Sequence, residues 1–148
     1  MSDEDATQRA LAMALRLLAA REHGRVELER KLKRRFPAEV VEPLLERLSR
    51  EGLQSDDRFV EGYLRSRMEK GFGPLRIRAE LKARGVDEAR VRLALEAVEE
   101  EWARRLRQVV ERKFGTAPPQ DRKELARRAR FLAGRGFPES MIRDHLFS

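Results

Sequence analysis

Residues 51–86 read EGLQSDDRFVEGYLRSRMEKGFGPLRIRAELKARGV, and their pattern decides what fold the chain can adopt. Ser55 and Asp56 offer side-chain oxygens to cap a helix, and Phe59, Val60, Tyr63, Leu64 and Arg67 follow at the three-and-four spacing of one helical face. Gly71-Phe72-Gly73-Pro74 then stops that helix. Two glycines favour a turn, and Pro74 lacks the amide a continuing helix needs while suiting the first turn of a new one. The new helix carries Leu75, Ile77 and Leu81 inward, leaves Arg76, Arg78 and Lys82 outside, and reaches Gly85, which suits a left-handed C-terminal cap.

The remainder of the chain repeats this pattern at a period of about 50 residues. Arg34-Arg35-Phe36-Pro37, Ala83-Arg84-Gly85-Val86 and Gly134-Arg135-Gly136-Phe137 occupy matching places, each preceded by Leu32, Leu81 or Leu132. Val41 with Leu45, Val91 with Leu95, and Ile142 with Leu146 follow at the same spacing. The predicted fold is all-α: three tandem three-helix repeats, bounded at 1–54, 55–100 and 101–148, forming an elongated, curved helical array. Thr7 is the expected cap of the first helix, and Pro43 predicts a kink or a late start in the third. From Asp87 to Phe114 there is no Gly or Pro, so the apolar pattern allows one continuous helix across 87–114. The middle helix of the last repeat has Leu125, Ala129 and Leu132 on its apolar face.

Composition narrows the function. Charged residues make up 40% of the 148-residue chain and mean hydropathy is −0.68, yet the apolar residues are periodic, which argues for thin helical layers rather than disorder. The net charge of +7 is concentrated: residues 102–148 hold 12 Lys and Arg against 5 Asp and Glu, leaving 21 against 21 before them. A balanced body with a basic end suggests a polyanion-facing surface; the plainer alternative is arginine used simply as a polar helix former. There is no cysteine, no apolar run approaches the roughly 20 residues that span a bilayer, and the acidic start Met1-Ser2-Asp3-Glu4-Asp5 is unlike a signal peptide. A soluble, cytoplasmic protein without membrane contact is expected.

Catalytic and metal chemistry find little support. His23, read as a solvent-facing turn residue, and His145 have no HExxH spacing. Gly71-Phe72-Gly73-Pro74 lacks the strand and the GK[ST] ending of a phosphate loop. Asp56-Asp57 and Glu99-Glu100-Glu101 have no convergent partners, so capping and solvation explain them. Phe59, Tyr63 and Trp102 fit core packing better than base stacking, and only Phe72 is a candidate for exposure. No catalyst, metal or cofactor is expected.

Family resemblance adds to this. Glu51-Gly52-Leu53, Asp56, Phe59, Tyr63, Arg67, Lys70-Gly71-Phe72-Gly73, Ile77, Glu80-Leu81 and Gly85-Val86 closely resemble the central signature of the RecX family of bacterial recombinase regulators. Arg21-Glu22-His23-Gly24 with Glu27-Leu28 and Lys31-Leu32 resembles its first block, and Phe131-Leu132, Arg135-Gly136-Phe137 and Met141-Ile142 its last. The resemblance implies a negative regulator that binds the RecA recombinase filament on single-stranded DNA. It implies inhibition of ATPase, strand-exchange and coprotease activities, by lodging in the filament groove or blocking its extension. Weak, sequence-independent contact with double-stranded DNA and a monomeric state are expected beside it. The alternative is a non-enzymatic helical DNA-binding protein acting directly on nucleic acid, and the third reading is an enzyme. Contact candidates, chosen by charge and helical register, are Arg30, Lys33, Arg34, Arg76, Lys82, Arg104, Arg107, Arg127 and Arg130, where a row of cations could bind phosphates by counterion release or form an ordinary solvated face.

Overall fold

The computed structural model describes residues 2–147; Met1 and Ser148, the outer bounds of the first and last expected repeats, lie outside them. Among the described residues every regular element is helical. These are α1 (Asp3–Ala20), α2 (Arg25–Lys33), α3 (Ala38–Arg50), α4 (Asp56–Glu69), α5 (Pro74–Ala83), α6 (Glu88–Ala97), a 3-10 turn (Glu99–Glu101), α7 (Trp102–Phe114), α8 (Arg122–Gly134) and α9 (Glu139–Phe147). The all-α expectation holds. Contacts divide the chain into two compact units, one running to Gly62 and taking in Lys82–Asp87, the other holding Tyr63–Leu81 and everything from Glu88 on.

In the first unit, Ala6, Ala10 and Ala14 recur every fourth residue along α1 and meet Leu28 and Leu32 of α2 and Val40, Val41, Leu44, Leu45 and Leu48 of α3 in one buried cluster. Ser2 caps α1, its hydroxyl accepting from the Asp5 amide at 3.1 Å, and Asp3, Glu4 and Asp5 fill the first turn where the helix dipole favours acids. Thr7, the expected cap, lies one turn inside and donates to the Asp3 carbonyl. Pro43 sits within α3, which begins ahead of it at Ala38; its missing N–H is the one that would have bonded exposed Glu39, whose carbonyl can turn to water.

Asp56 also departs from expectation. Ser55 caps α4, accepting from the Arg58 amide, and Asp56 Oδ1 reaches back to accept from the Arg25 amide at 2.8 Å and so caps α2, whose own N-cap is Gly24. Buried Gln54 completes this tie, donating to Asp56 Oδ1 at 3.0 Å and to the His23 carbonyl at 3.2 Å.

His23 is only 2% exposed, not the solvent-facing residue its turn suggested. Lys31 Nζ stands 2.9 Å from its Nε2, and an ammonium can only donate, so Nε2 accepts and Nδ1–H donates to the Arg21 carbonyl at 3.1 Å. Burial, helped by the charges of Arg21 and Lys31, outweighs that carbonyl bond and holds the ring below its ordinary pKa of 6.5. A folded pKa below the unfolded one gives stability that is complete above about pH 6.5 and is lost as pH falls through the folded value. The melting temperature is therefore expected to drop between about pH 7.5 and 5, and to drop less in His23→Gln. Equal drops in both proteins would remove His23 as the cause.

The second unit is built around Leu64, Met68, Ile77, Leu81, Val91, Val98, Trp102, Leu106, Val110, Leu132, Phe137 and Ile142, all buried. Trp102 meets Phe137 edge to face, centroids 6.4 Å apart. Pro74, Ile77 and Leu81 take the buried row of α5, so Leu75, one step off it, is 52% exposed instead of facing inward. The single helix allowed across 87–114 is interrupted. Val98, at φ −113° and ψ 15°, leaves α geometry, and the 3-10 turn follows before α7. Glu99, Glu100 and Glu101 thereby stand ahead of the N-terminus of α7, where its dipole attracts carboxylates; a continuous helix would have placed them mid-helix.

Two glycine turns interlock in this unit. The Gly73 amide donates to the Arg135 carbonyl at 2.8 Å and the Leu75 amide to the Gly136 carbonyl at 2.9 Å. A side chain at Gly73 would meet the Gly136 carbonyl carbon at 2.5 Å, and Gly136 itself holds φ +99°.

Candidate functional site

The turn at residues 70–73 gathers cations. Arg67, on the last turn of α4, donates Nε and Nη2 to Glu80 Oε1 and Oε2 at 2.8 and 2.7 Å, a bidentate pair. Tyr63 Oη donates to the same carboxylate at 2.9 Å, and Arg76 Nε at 3.3 Å. Burial alone would raise the Glu80 pKa, but the Arg67 and Tyr63 hydrogen bonds, the Arg67 charge and the Arg76 bond outweigh it and hold the carboxyl below its ordinary range.

Phe72, expected to be exposed, is half-buried under guanidinium groups. Those of Arg67, Arg76 and Arg135 lie 3.9, 4.2 and 4.2 Å from its ring centroid. Arg135 caps the end of α4, donating Nε to the Gly71 carbonyl at 3.2 Å and Nη2 to that of Lys70. Burial lowers the Arg135 pKa, and the charges of Arg76, Arg67 and Arg112 lower it further. Three guanidiniums thus stack on one ring, and two of them, Arg67 and Arg76, bond the Glu80 carboxylate.

Arg135 also walls a cleft of about 300 Å³. Its other walls are Met68, Glu69, Lys70 and Gly71 from the end of α4, Arg105, Gln108, Val109, Arg112 and Lys113 from α7, and Phe131 from α8. The α7 residues fall at the spacing of one helical face, which adjoins the side that buries Trp102, Leu106 and Val110 and meets it at Val109 and Lys113. Lys113 Nζ lies 5.3 Å from the Phe131 ring centroid and the Arg135 guanidinium 5.8 Å from it. Five cations face one carboxylate here, an arrangement suited to a polyanion.

The contact candidates divide between the units. In the first, Arg30 donates to the Ala83 carbonyl at 3.1 Å, next to Lys82; Lys33 pairs with Glu42 at 3.3 Å and Glu29 at 3.7 Å; Arg34 is exposed and makes no ion pair among the described residues. In the second, Arg76 joins the Phe72 cluster. Arg104 pairs with Glu101 at 3.5 Å, Arg107 lines a separate groove with Trp102 and His145, Arg127 lies 5.3 Å from the Phe114 ring, and Arg130 is exposed. Of these nine, only Arg76 enters the cluster, and none lines the basic cleft. The residues that do line it were missed; their signal was the shared face of 105, 108, 109, 112 and 113. Among the described residues no three or more His, Asp or Glu stand together to hold a metal ion, and no helix is long and apolar enough to cross a membrane.

Comparison with known proteins gives these helices a family. Residues 10–48, 55–95 and 99–146 match, in order, the first, second and third three-helix domains of RecX. The chain belongs to the RecX family. The Regulatory protein RecX of Pseudomonas entomophila (strain L48) is 50% identical over 130 residues, covering 87% of this chain and 84% of that one. That of Halorhodospira halophila (strain DSM 244 / SL1) is 46% identical over 145 residues, 97% of this chain and 90% of that one. The crystal structure of RecX from Lactobacillus salivarius shares the fold with a TM-score of 0.81 at 20% identity, covering 97% of both chains. In RecX terms, the second three-helix domain supplies the end of α4 and Phe72, and the third supplies α7, α8 and Arg135.

Proposed function

We propose that this chain is a non-enzymatic negative regulator of the RecA recombinase. It binds RecA filaments on single-stranded DNA and inhibits their ATPase, strand-exchange and coprotease activities, by lodging in the filament groove or blocking its extension. It acts as a cytoplasmic monomer without a cofactor and touches duplex DNA weakly and without sequence preference. The observation that best supports this reading is the basic cleft, where Lys70, Arg105, Arg112, Lys113 and Arg135 outnumber Glu69. A filament on DNA offers phosphates and protein side by side, and three modules bounded near 54 and 100 can each add a weak contact. Arg30, Lys33, Arg34, Arg76, Lys82, Arg104, Arg107, Arg127 and Arg130 are contacts in this proposal, each worth little alone and screened by salt.

The test titrates this protein into RecA hydrolysing ATP on single-stranded DNA, with binding to the same DNA measured in parallel without RecA. Inhibition well below the concentration that coats naked DNA is expected. Inhibition only once the strand is saturated would mean competition for DNA, and the direct DNA-binding reading would replace this one.

A further inference from the structure

We propose that the cleft between the end of α4 and the facing sides of α7 and α8 holds one nucleotide unit of single-stranded nucleic acid. Its phosphate is taken by Lys70, Arg112 and Lys113, and its sugar or base lies on Val109 and Phe131. The inference rests on the reading above in taking single-stranded DNA as the polyanion, and it gives that contact a place.

Charge is the first argument. Lys70, Arg112 and Lys113 make no ion pair among the described residues, and Arg135, which lines the same cleft, has its proton affinity lowered by burial and then by the charges of Arg76, Arg67 and Arg112. An anion entering the cleft relieves that repulsion and meets cations already ordered: Arg135 is fixed on the α4 carbonyls and Lys113 rests over the Phe131 ring. Shape is the second. The cleft, at about 300 Å³, lies at the small end of ligand pockets and is half apolar. A protein carboxylate would engage the cations but leave the half-buried Val109 and Phe131 wet, whereas a nucleotide covers both kinds of wall. A duplex keeps its bases paired and stacked, so it offers the cleft a phosphate alone, which favours the single strand.

Binding of a fluorescent oligo-dT and of a duplex of equal length is measured for the full chain by anisotropy over a range of salt. The parent is expected to prefer the single strand. Arg112→Ala with Lys113→Ala should bind oligo-dT at least about 10-fold more weakly, with the slope of log affinity against log salt reduced by up to about 0.7, the contribution of one single-strand phosphate contact. Gln108→Glu, nearly isosteric at an exposed position, should also weaken binding several-fold by placing a carboxylate in the cleft. Arg16→Ala with Arg92→Ala, the same charge change elsewhere, should alter it at most about twofold. Parent-like binding by both cleft variants, or equal parent affinity for duplex, overturns the proposal.

RecA inhibition by the same proteins separates the two readings. Variants that bind oligo-dT normally yet fail to inhibit RecA would make the cleft a protein contact, ending this inference while leaving filament regulation intact. Variants that lose oligo-dT binding while the parent itself never inhibits RecA would support the cleft and end the RecA reading.

Discussion

Gly136→Ala is expected to lower the stability of the second unit by about 3–5 kcal/mol, seen as a fall in melting temperature of roughly 10 °C or more. Two penalties combine. Gly136 holds φ +99°, where a Cβ costs about 1–2 kcal/mol, and the new methyl would sit against the Arg76 backbone, 2.8 Å from its nitrogen, on the first turn of α5. Relief requires the two turns to part, which breaks the Gly73–Arg135 and Leu75–Gly136 backbone bonds. Gly73→Ala isolates the steric part, because Gly73 has no positive φ yet its Cβ would stand 2.5 Å from the Gly136 carbonyl carbon. Gly62→Ala provides the opposite sign: it lies inside α4 with nothing within 4 Å of an added Cβ, and alanine should stabilise by about 1 kcal/mol. Melting of Gly136→Ala within a degree or two of the parent would show that the turns have room to separate.

The two turns also illustrate what sequence reading reaches. That α4 ends near Gly71, that α5 starts at Pro74 and that Gly85 takes a positive φ are local consequences of residue chemistry, and the structure agrees. The departures lie where a distant partner decides. Asp56 looks like a cap for its own helix, but the orphan amide that claims it is Arg25, 31 residues away. His23 sits in a turn that ought to be wet, yet Gln54 closes over its carbonyl and Lys31 over its ring. The 3-10 turn had no Gly or Pro to announce it.

For the candidate site, charge placement was legible and convergence was not. The excess of cations in 102–148 supplies Arg105, Arg112, Lys113 and Arg135 to the cleft. Arg67 was read as one member of an amphipathic face and Arg135 as a motif position, because helical register cannot show that both stack on Phe72. Arg104 and Arg107 were chosen by charge on α7; they lie off the cleft-lining face. Which face of α7 meets the end of α4 is a tertiary fact.

The Phe72 cluster carries the second large expectation. Glu80→Gln keeps shape and one acceptor oxygen but removes the carboxylate that bonds both Arg67 and Arg76, leaving three guanidiniums on one ring. A loss of about 2–4 kcal/mol is expected, from charged hydrogen bonds to Arg67, Arg76 and Tyr63 and from unrelieved repulsion. The pH dependence identifies the cause. Because the folded Glu80 pKa lies below its ordinary 4.5, its contribution is complete above about that pH and disappears as pH falls through the folded value. The gap in melting temperature between parent and Glu80→Gln should thus be widest near neutral pH and narrow in acid, while added salt should shrink it by screening the arginines. A gap that stayed constant in acid and in salt would assign the loss to packing around Tyr63 rather than to charge. Phe72 would then be the element that orders the arginines, with Glu80 incidental to them.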